Sequence, residues 1–96
     1  MKLVFAQRAL RDIERCATWW VQHRDSRELF ADELLVALDR IRRDPVLGPV
    51  YRVVRGLEQR RLLMPKTAHH VYYRIDGESL LILTVWGARR GRPPRL

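Results

Sequence analysis

Four arginines close the sequence in WGARRGRPPRL: Arg89, Arg90, Arg92 and Arg95 follow Trp86, and no acidic residue stands among them. A guanidinium offers five N–H donors on a rigid planar fork that matches phosphate and carboxylate, so this stretch is equipped to hold an anion. A second basic group, Arg52, Arg55, Arg60 and Arg61, is relieved only by Glu58. In antiparallel order it would approach the tail and make one positive surface; two separate solvated patches are the alternative. Between the two groups stand His69 and His70, and imidazole is the side chain that exchanges a proton near neutral pH. The competing reading of this pair is simpler: polar residues on the wet face of a strand. Cys16 is the only cysteine, which excludes an intrachain disulfide and a cysteine-built zinc cluster. His23, His69 and His70 show no metal-ligand spacing, so neither a metal nor a cofactor is expected.

Something must position these groups, and 96 residues allow one domain, 1–96, with a modest core. The net charge of +8 rests on nineteen basic residues, of which only Lys2 and Lys66 are lysines. That points to an anionic partner, nucleic acid or an acidic protein, although a GC-rich genome would raise the arginine share equally. No apolar run approaches a membrane span, and MKLVFAQRAL is too short in apolar residues for a signal-peptide core. A cytoplasmic protein is therefore expected.

Lys2 to Phe5 reads as a short strand. Leu10, Ile13, Ala17 and Trp20 recur at spacings of three and four, one face of a helix, with Arg11, Glu14, Arg15 and Gln22 opposite. Trp20 follows that stripe; Trp19 points partly away, either to pack on the second helix or sheet edge or to anchor a partner. Asp25 and Glu28 have capping-box spacing before a second stripe of Phe30, Leu34, Leu38 and Ile41, and Pro45 closes it. After Leu47–Pro49 the period changes. YRVV, RRLLM, HVYYRI and SLLILTVW are short, β-branched and aromatic, and Asp76-Gly77 marks a hairpin. Val71, Tyr73 and Ile75 alternate with His70, Tyr72 and Arg74, giving one face for the helices and one for polar groups. SLLILTVW does not alternate, which marks a central strand. The expected architecture is α+β: an N-terminal strand, a helical hairpin, then a three- to four-stranded mostly antiparallel sheet, in the order β-α-α-β-β-β.

The order of elements and four patterns, WW…F..ELL.AL..I..DP.LGP.YR, RRLLMP, HHVYYRIDG and ILTVWGARRGRPP, resemble the RelE/ParE superfamily of bacterial toxins. They cover nearly the whole chain. The resemblance implies the toxin of a type II toxin–antitoxin pair, held inactive by a cognate antitoxin whose DNA-binding part carries the complex to operator DNA. RelE-like members cut mRNA at the ribosomal A site; ParE-like members poison DNA gyrase and lack the nuclease residues.

Metal-free RNA cleavage needs a base for the 2′-hydroxyl, a cation on the phosphate and an acid for the leaving oxygen. The pattern of the RelE-like enzymes falls here on Arg61, His70 and Arg89. Its second basic position is Leu63, Trp86 stands where some nucleases carry histidine, and RGRPPRL supplies no tyrosine or histidine. A substitute set would use His70 as base or acid, assisted by Glu58 or His69. The incomplete set implies a ParE-like toxin that is not an enzyme, with a metal-independent endoribonuclease as the alternative. Arg52, Arg55, Arg60, Arg61, Trp86, Arg89, Arg90, Arg92 and Arg95 are the expected contacts to target or antitoxin.

Overall fold

The periodicities resolve, in the computed structural model, into seven elements, and all 96 residues are described. In chain order these are β1 (Lys2–Phe5), α1 (Gln7–His23), α2 (Leu29–Arg43), β2 (Val50–Val54), β3 (Leu57–Met64), β4 (His69–Asp76) and β5 (Ser79–Gly87). The five strands form one sheet in the order β1-β5-β4-β3-β2. Only the β1–β5 pairing is parallel, running from Lys2↔Ser79 to Phe5↔Ile82. The α+β class stands; the sheet has five strands rather than three to four, because β1 joins it beside β5. β5 lies inside the sheet, between β1 and β4, which explains its continuous apolar sequence.

Both helices pack on one side of the sheet. The core joins Ala9 and Trp20 of α1 to Phe30, Leu34, Ala37, Leu38 and Ile41 of α2, and to Met64, Val71, Tyr73, Leu80, Ile82 and Val85 of the sheet. Burying each of the larger aliphatic or aromatic side chains contributes roughly 1.5–3 kcal/mol. The buried stripe of α1 matches the expected one in part. Ile13, Ala17 and Trp20 pack as expected, joined by Ala9 and Cys16, whereas Leu10 is exposed. Trp19 is 45% exposed and stacks on His23 of its own helix, ring centroids 4.6 Å apart. The capping box is not made either. Glu28 is itself the N-cap, with helical backbone angles and no side-chain hydrogen bond.

Two departures in the sheet bear on the site. Tyr72 pairs with Thr84 but Tyr73 pairs with Ile82, so Leu83 is an extra residue on β5. This bulge switches the parity of β5: Leu80 and Ile82 face the helices before it, and Val85 after it. Simple alternation also fails on β4. Tyr72, expected on the wet face, is 2% exposed, and Ile75, expected in the core, is 38% exposed.

The β4–β5 turn is Gly77-Glu78, one residue beyond the expected Asp76-Gly77; Asp76 pairs with Ser79, and Gly77 has φ +59°. The β2–β3 turn is Arg55-Gly56, with φ of 53° and 78°, the two left-handed residues of a type I′ hairpin. An L-residue with a Cβ is strained there, so Arg55→Asn is expected to stabilise the chain by up to about 1 kcal/mol. A higher Tm in thermal unfolding checks this.

Candidate functional site

The sheet face away from the helices gathers the chemistry. Arg61 on β3 and Tyr72 on β4 are cross-strand partners, and so are Leu63 and His70. The Arg61 guanidinium lies 4.6 Å from the Tyr51 ring centroid and 6.0 Å from that of Tyr72, and Nη1 donates to Tyr72 Oη at 3.3 Å. Two rings thus hold its plane while donors on its edge stay available. His70 meets Tyr72 edge-on at 5.9 Å. Burial pushes the His70 pKa down, and the neighbouring Arg61 and His69 push it further. At neutral pH this imidazole is uncharged and can accept a proton.

Arg61, His70, Tyr72, Trp86, Arg90 and Arg92 line a recess of about 260 Å³ with no carboxylate in its wall. Its rim is the C-terminal tail, which folds back against the domain. Trp86 Nε1 donates to the Arg92 carbonyl at 3.0 Å, Arg8 donates to the Arg95 carbonyl, and Arg52 Nη2 donates to that of Leu96 at 2.9 Å. Pro94 is buried beneath this strap. The tail's backbone is tied down while its arginine side chains remain exposed. None of Arg89, Arg90, Arg92 and Arg95 has an ion-pair partner. Arg90 instead lies over the Trp86 ring, 3.9 Å from its centroid.

The two basic groups therefore do meet, through Arg52 and Arg61, though not with every member. Arg60 turns to the other side of β3, where Nη1 donates to the carbonyls of Gly48 at 2.9 Å and Val46 at 3.2 Å. Its side chain is 14% exposed, and it pairs with Glu58 at 3.4 Å. Arg60 holds a loop; it is not a free cation. Arg55 sits at the tip of the β2–β3 turn.

Arg61 and His70 share the recess, but Arg89 does not join them. It lines an adjoining groove of about 500 Å³ on the helix side, with Arg15, Cys16, Trp19, Trp20 and Arg24 of α1 and its C-cap; Gly87 and Arg90 belong to the walls of both. His69 faces that side too, edge-on to Phe30 at 4.9 Å, its Nδ1 3.1 Å from Thr67 Oγ1. Glu58 is engaged by Arg60, and Leu63, the cross-strand partner of His70, is 46% exposed. The recess can hold a phosphate and offers a neutral imidazole. The only other proton-transfer group in its wall is the Tyr72 hydroxyl, already engaged by Arg61, and Arg89 lies outside its lining. No cluster of three or more His, Cys, Asp or Glu side chains suited to a metal occurs, and no helix is long and apolar enough to cross a membrane.

Sequence reasoning missed Tyr51, Tyr72 and Arg8, which orient Arg61 or tie the tail; it named Arg52 as a contact but not as a tie to the tail. Two of them had a visible signal: tyrosines close to the strand arginines. Nothing in the sequence signalled that side chains 44 and 87 positions away would hold the tail's carbonyls.

Residues 3–91 match a family described as ParE toxin of type II toxin-antitoxin system, parDE. Among solved structures, the chain is similar to one from the chromosomal ParDE toxin–antitoxin system of P. aeruginosa. That match has a TM-score of 0.67 and 15% identity, and covers 93% of this chain and 97% of the other. It is also similar to a chain of the toxin–antitoxin complex RelBE2 from Mycobacterium tuberculosis, with a TM-score of 0.58, 22% identity, and coverage of 90% and 95%. No curated protein matches the sequence.

Proposed function

This chain belongs to the ParE toxins of type II toxin–antitoxin systems, and we propose that it arrests growth by poisoning DNA gyrase and is silenced by a cognate antitoxin. One observation carries the gyrase reading over the nuclease one: Arg89 is outside the lining of the recess that holds Arg61 and His70, in an adjoining groove that shares only Gly87 and Arg90 with it. A metal-free nuclease must bring its base, its acid and its phosphate cation to one phosphodiester, within hydrogen-bond reach of the reacting atoms. Here the recess has one neutral imidazole, cations and a Tyr72 hydroxyl that already accepts from Arg61.

The antitoxin proposal draws on charge and on the two solved relatives, both from toxin–antitoxin systems. A face carrying Arg52, Arg61, Arg90 and Arg92 attracts an acidic segment, and complementary charge speeds and orients such docking. The complex would reach operator DNA through the antitoxin, and the toxin would act in the cytoplasm.

The test is a supercoiling and cleavage assay with purified gyrase. Loss of supercoiling with accumulation of cleaved DNA is expected. Unchanged gyrase at saturating toxin overturns the proposal. The shared recess of Arg61 and His70 favours one second reading, a ribosome-dependent endoribonuclease. For that reading, toeprinting on programmed ribosomes should show A-site cuts that vanish in Arg61→Ala. Under the gyrase reading the message stays whole.

A further inference from the structure

The groove on the helix side shares Arg90 with the recess, and the reading above gives it no ligand of its own. Its wall holds four guanidiniums, Arg15, Arg24, Arg89 and Arg90, with Trp19, Trp20 and Cys16 as an apolar bed, and no carboxylate lines it. Arg15 has a partner, Asp12, at 3.4 Å. Arg24, Arg89 and Arg90 have no ion pair.

Two of these cations are held in advance by aromatic rings. Arg24 lies 5.2 Å from the Trp19 centroid and 5.6 Å from that of Trp20, and Arg90 lies 3.9 Å from that of Trp86. A guanidinium that stacks by its face keeps its in-plane N–H donors for a ligand, and it loses less side-chain freedom when the ligand arrives. The groove contributes no anion of its own. Burial raises the Cys16 pKa and nearby Asp12 adds to this, outweighing Arg15 and Arg90, so the thiol stays protonated. Burial lowers the pKa of His69, which adds no charge at neutral pH. A matching ligand has an anionic end to meet the guanidiniums and a flat apolar body to cover the exposed Trp19. The groove's volume of about 500 Å³ falls in the range of small-molecule sites.

We propose that this groove binds a nucleoside phosphate, free or as a unit of a single strand, with phosphate on Arg24, Arg89 and Arg90 and base against Trp19, the exposed tryptophan of the pair. The site is independent of the gyrase reading: it stands or falls on binding to the isolated chain, whatever the toxin's target.

The experiment titrates the purified chain with a nucleoside triphosphate, tripolyphosphate, a short single-stranded oligonucleotide and an oligoglutamate peptide, following tryptophan fluorescence and heat. Saturable binding of the nucleotide or the single strand is expected, with the tighter of the two identifying the source. Arg24→Ala and Arg89→Ala should each weaken it roughly tenfold, the scale of one lost charge-assisted hydrogen bond. Arg40→Ala, an exposed arginine of α2, should leave it unchanged. Equal losses in all three variants would reduce the effect to net charge and overturn the proposal. So would absent binding, or tripolyphosphate binding as tightly as the nucleotide. Tighter binding of oligoglutamate, lost in the same variants, would reassign the groove to an acidic protein.

Discussion

Tyr73→Phe is expected to lower the unfolding free energy by about 2–3 kcal/mol, a large share of the stability of a domain this size. Tyr73 is fully buried, and its hydroxyl joins the sheet to the loop after α2. It donates to the Pro45 carbonyl at 2.8 Å and accepts from the Gly48 N–H at 2.9 Å. Burial raises its pKa, so it remains a donor well past neutral pH. Phenylalanine fills the same space but leaves the buried Gly48 N–H unpaired, and that orphaned donor carries most of the cost. Arg60, the cross-strand partner of Tyr73, holds the Gly48 carbonyl from β3, so two neighbouring side chains fix one loop.

Gly48→Ala attacks the same contact from the other side. A Cβ there would sit 2.7 Å from Tyr73 Oη and 2.8 Å from its ring, too close for either to remain. A cost of at least about 2 kcal/mol is expected from that overpacking. Because both changes break one hydrogen bond, their combined cost should fall short of the sum of the two. Urea unfolding of the two single variants and the double variant checks this; strict additivity would mean that Tyr73 does not hold the loop through Gly48.

The sequence made the scaffold of this site legible because helix stripes and strand alternation are local. Phe30, Leu34, Leu38 and Ile41 lie where a 3.6-residue period places them, and the uniform SLLILTVW does run inside the sheet. The site itself was less legible, since its geometry depends on parity and on distant contacts. Arg60 and Arg61 are adjacent on a strand, so they must leave on opposite sides; composition merges them into one cluster, whereas the fold gives one to a loop and one to the recess. The bulge at Leu83 reverses parity within β5, yet a central strand without a bulge would show the same apolar run. Tyr72 reads as wet by alternation and is dry because Tyr51, Arg61 and His70 close over it. Arg55 concealed a type I′ turn that an asparagine at that position would have announced.

Asp12→Ala is expected to cost about 2–3 kcal/mol and to loosen the tail as well. Asp12 is a carboxylate on the buried side of α1, 7% exposed. It accepts from Thr84 Oγ1 at 2.5 Å and Arg8 Nε at 3.1 Å, with Arg15 at 3.4 Å. Burial raises its pKa, but the Thr84 and Arg8 hydrogen bonds and the charges of Arg8 and Arg15 outweigh it and leave the pKa below the ordinary value. Removing the carboxylate leaves the fully buried Thr84 hydroxyl with only its contact to the Val85 carbonyl, at 3.3 Å.

The sign in pH follows from that depression. The stabilisation is fully present above the unfolded carboxylate pKa of about 3.9, and it is lost as pH falls through the lower folded pKa. The wild type should therefore lose stability below about pH 4 more steeply than Asp12→Asn, whose side chain cannot titrate there. Urea midpoints from pH 7 to pH 2.5 measure this; parallel curves would mean that Asp12 carries no linked proton. The functional consequence runs through Arg8, which pairs with Asp12, lies 5.8 Å from the Trp86 centroid and donates to the Arg95 carbonyl. Deprived of Asp12, Arg8 loses the anchor that aims it, and the strap beside Arg61, His70 and Arg92 loses one of its three ties. Limited trypsin digestion at pH 7.5, under conditions where the domain stays folded, should then cut Arg89–Arg95 faster in Asp12→Ala than in wild type. Equal rates would place the tail's hold in Trp86 and Arg52 alone.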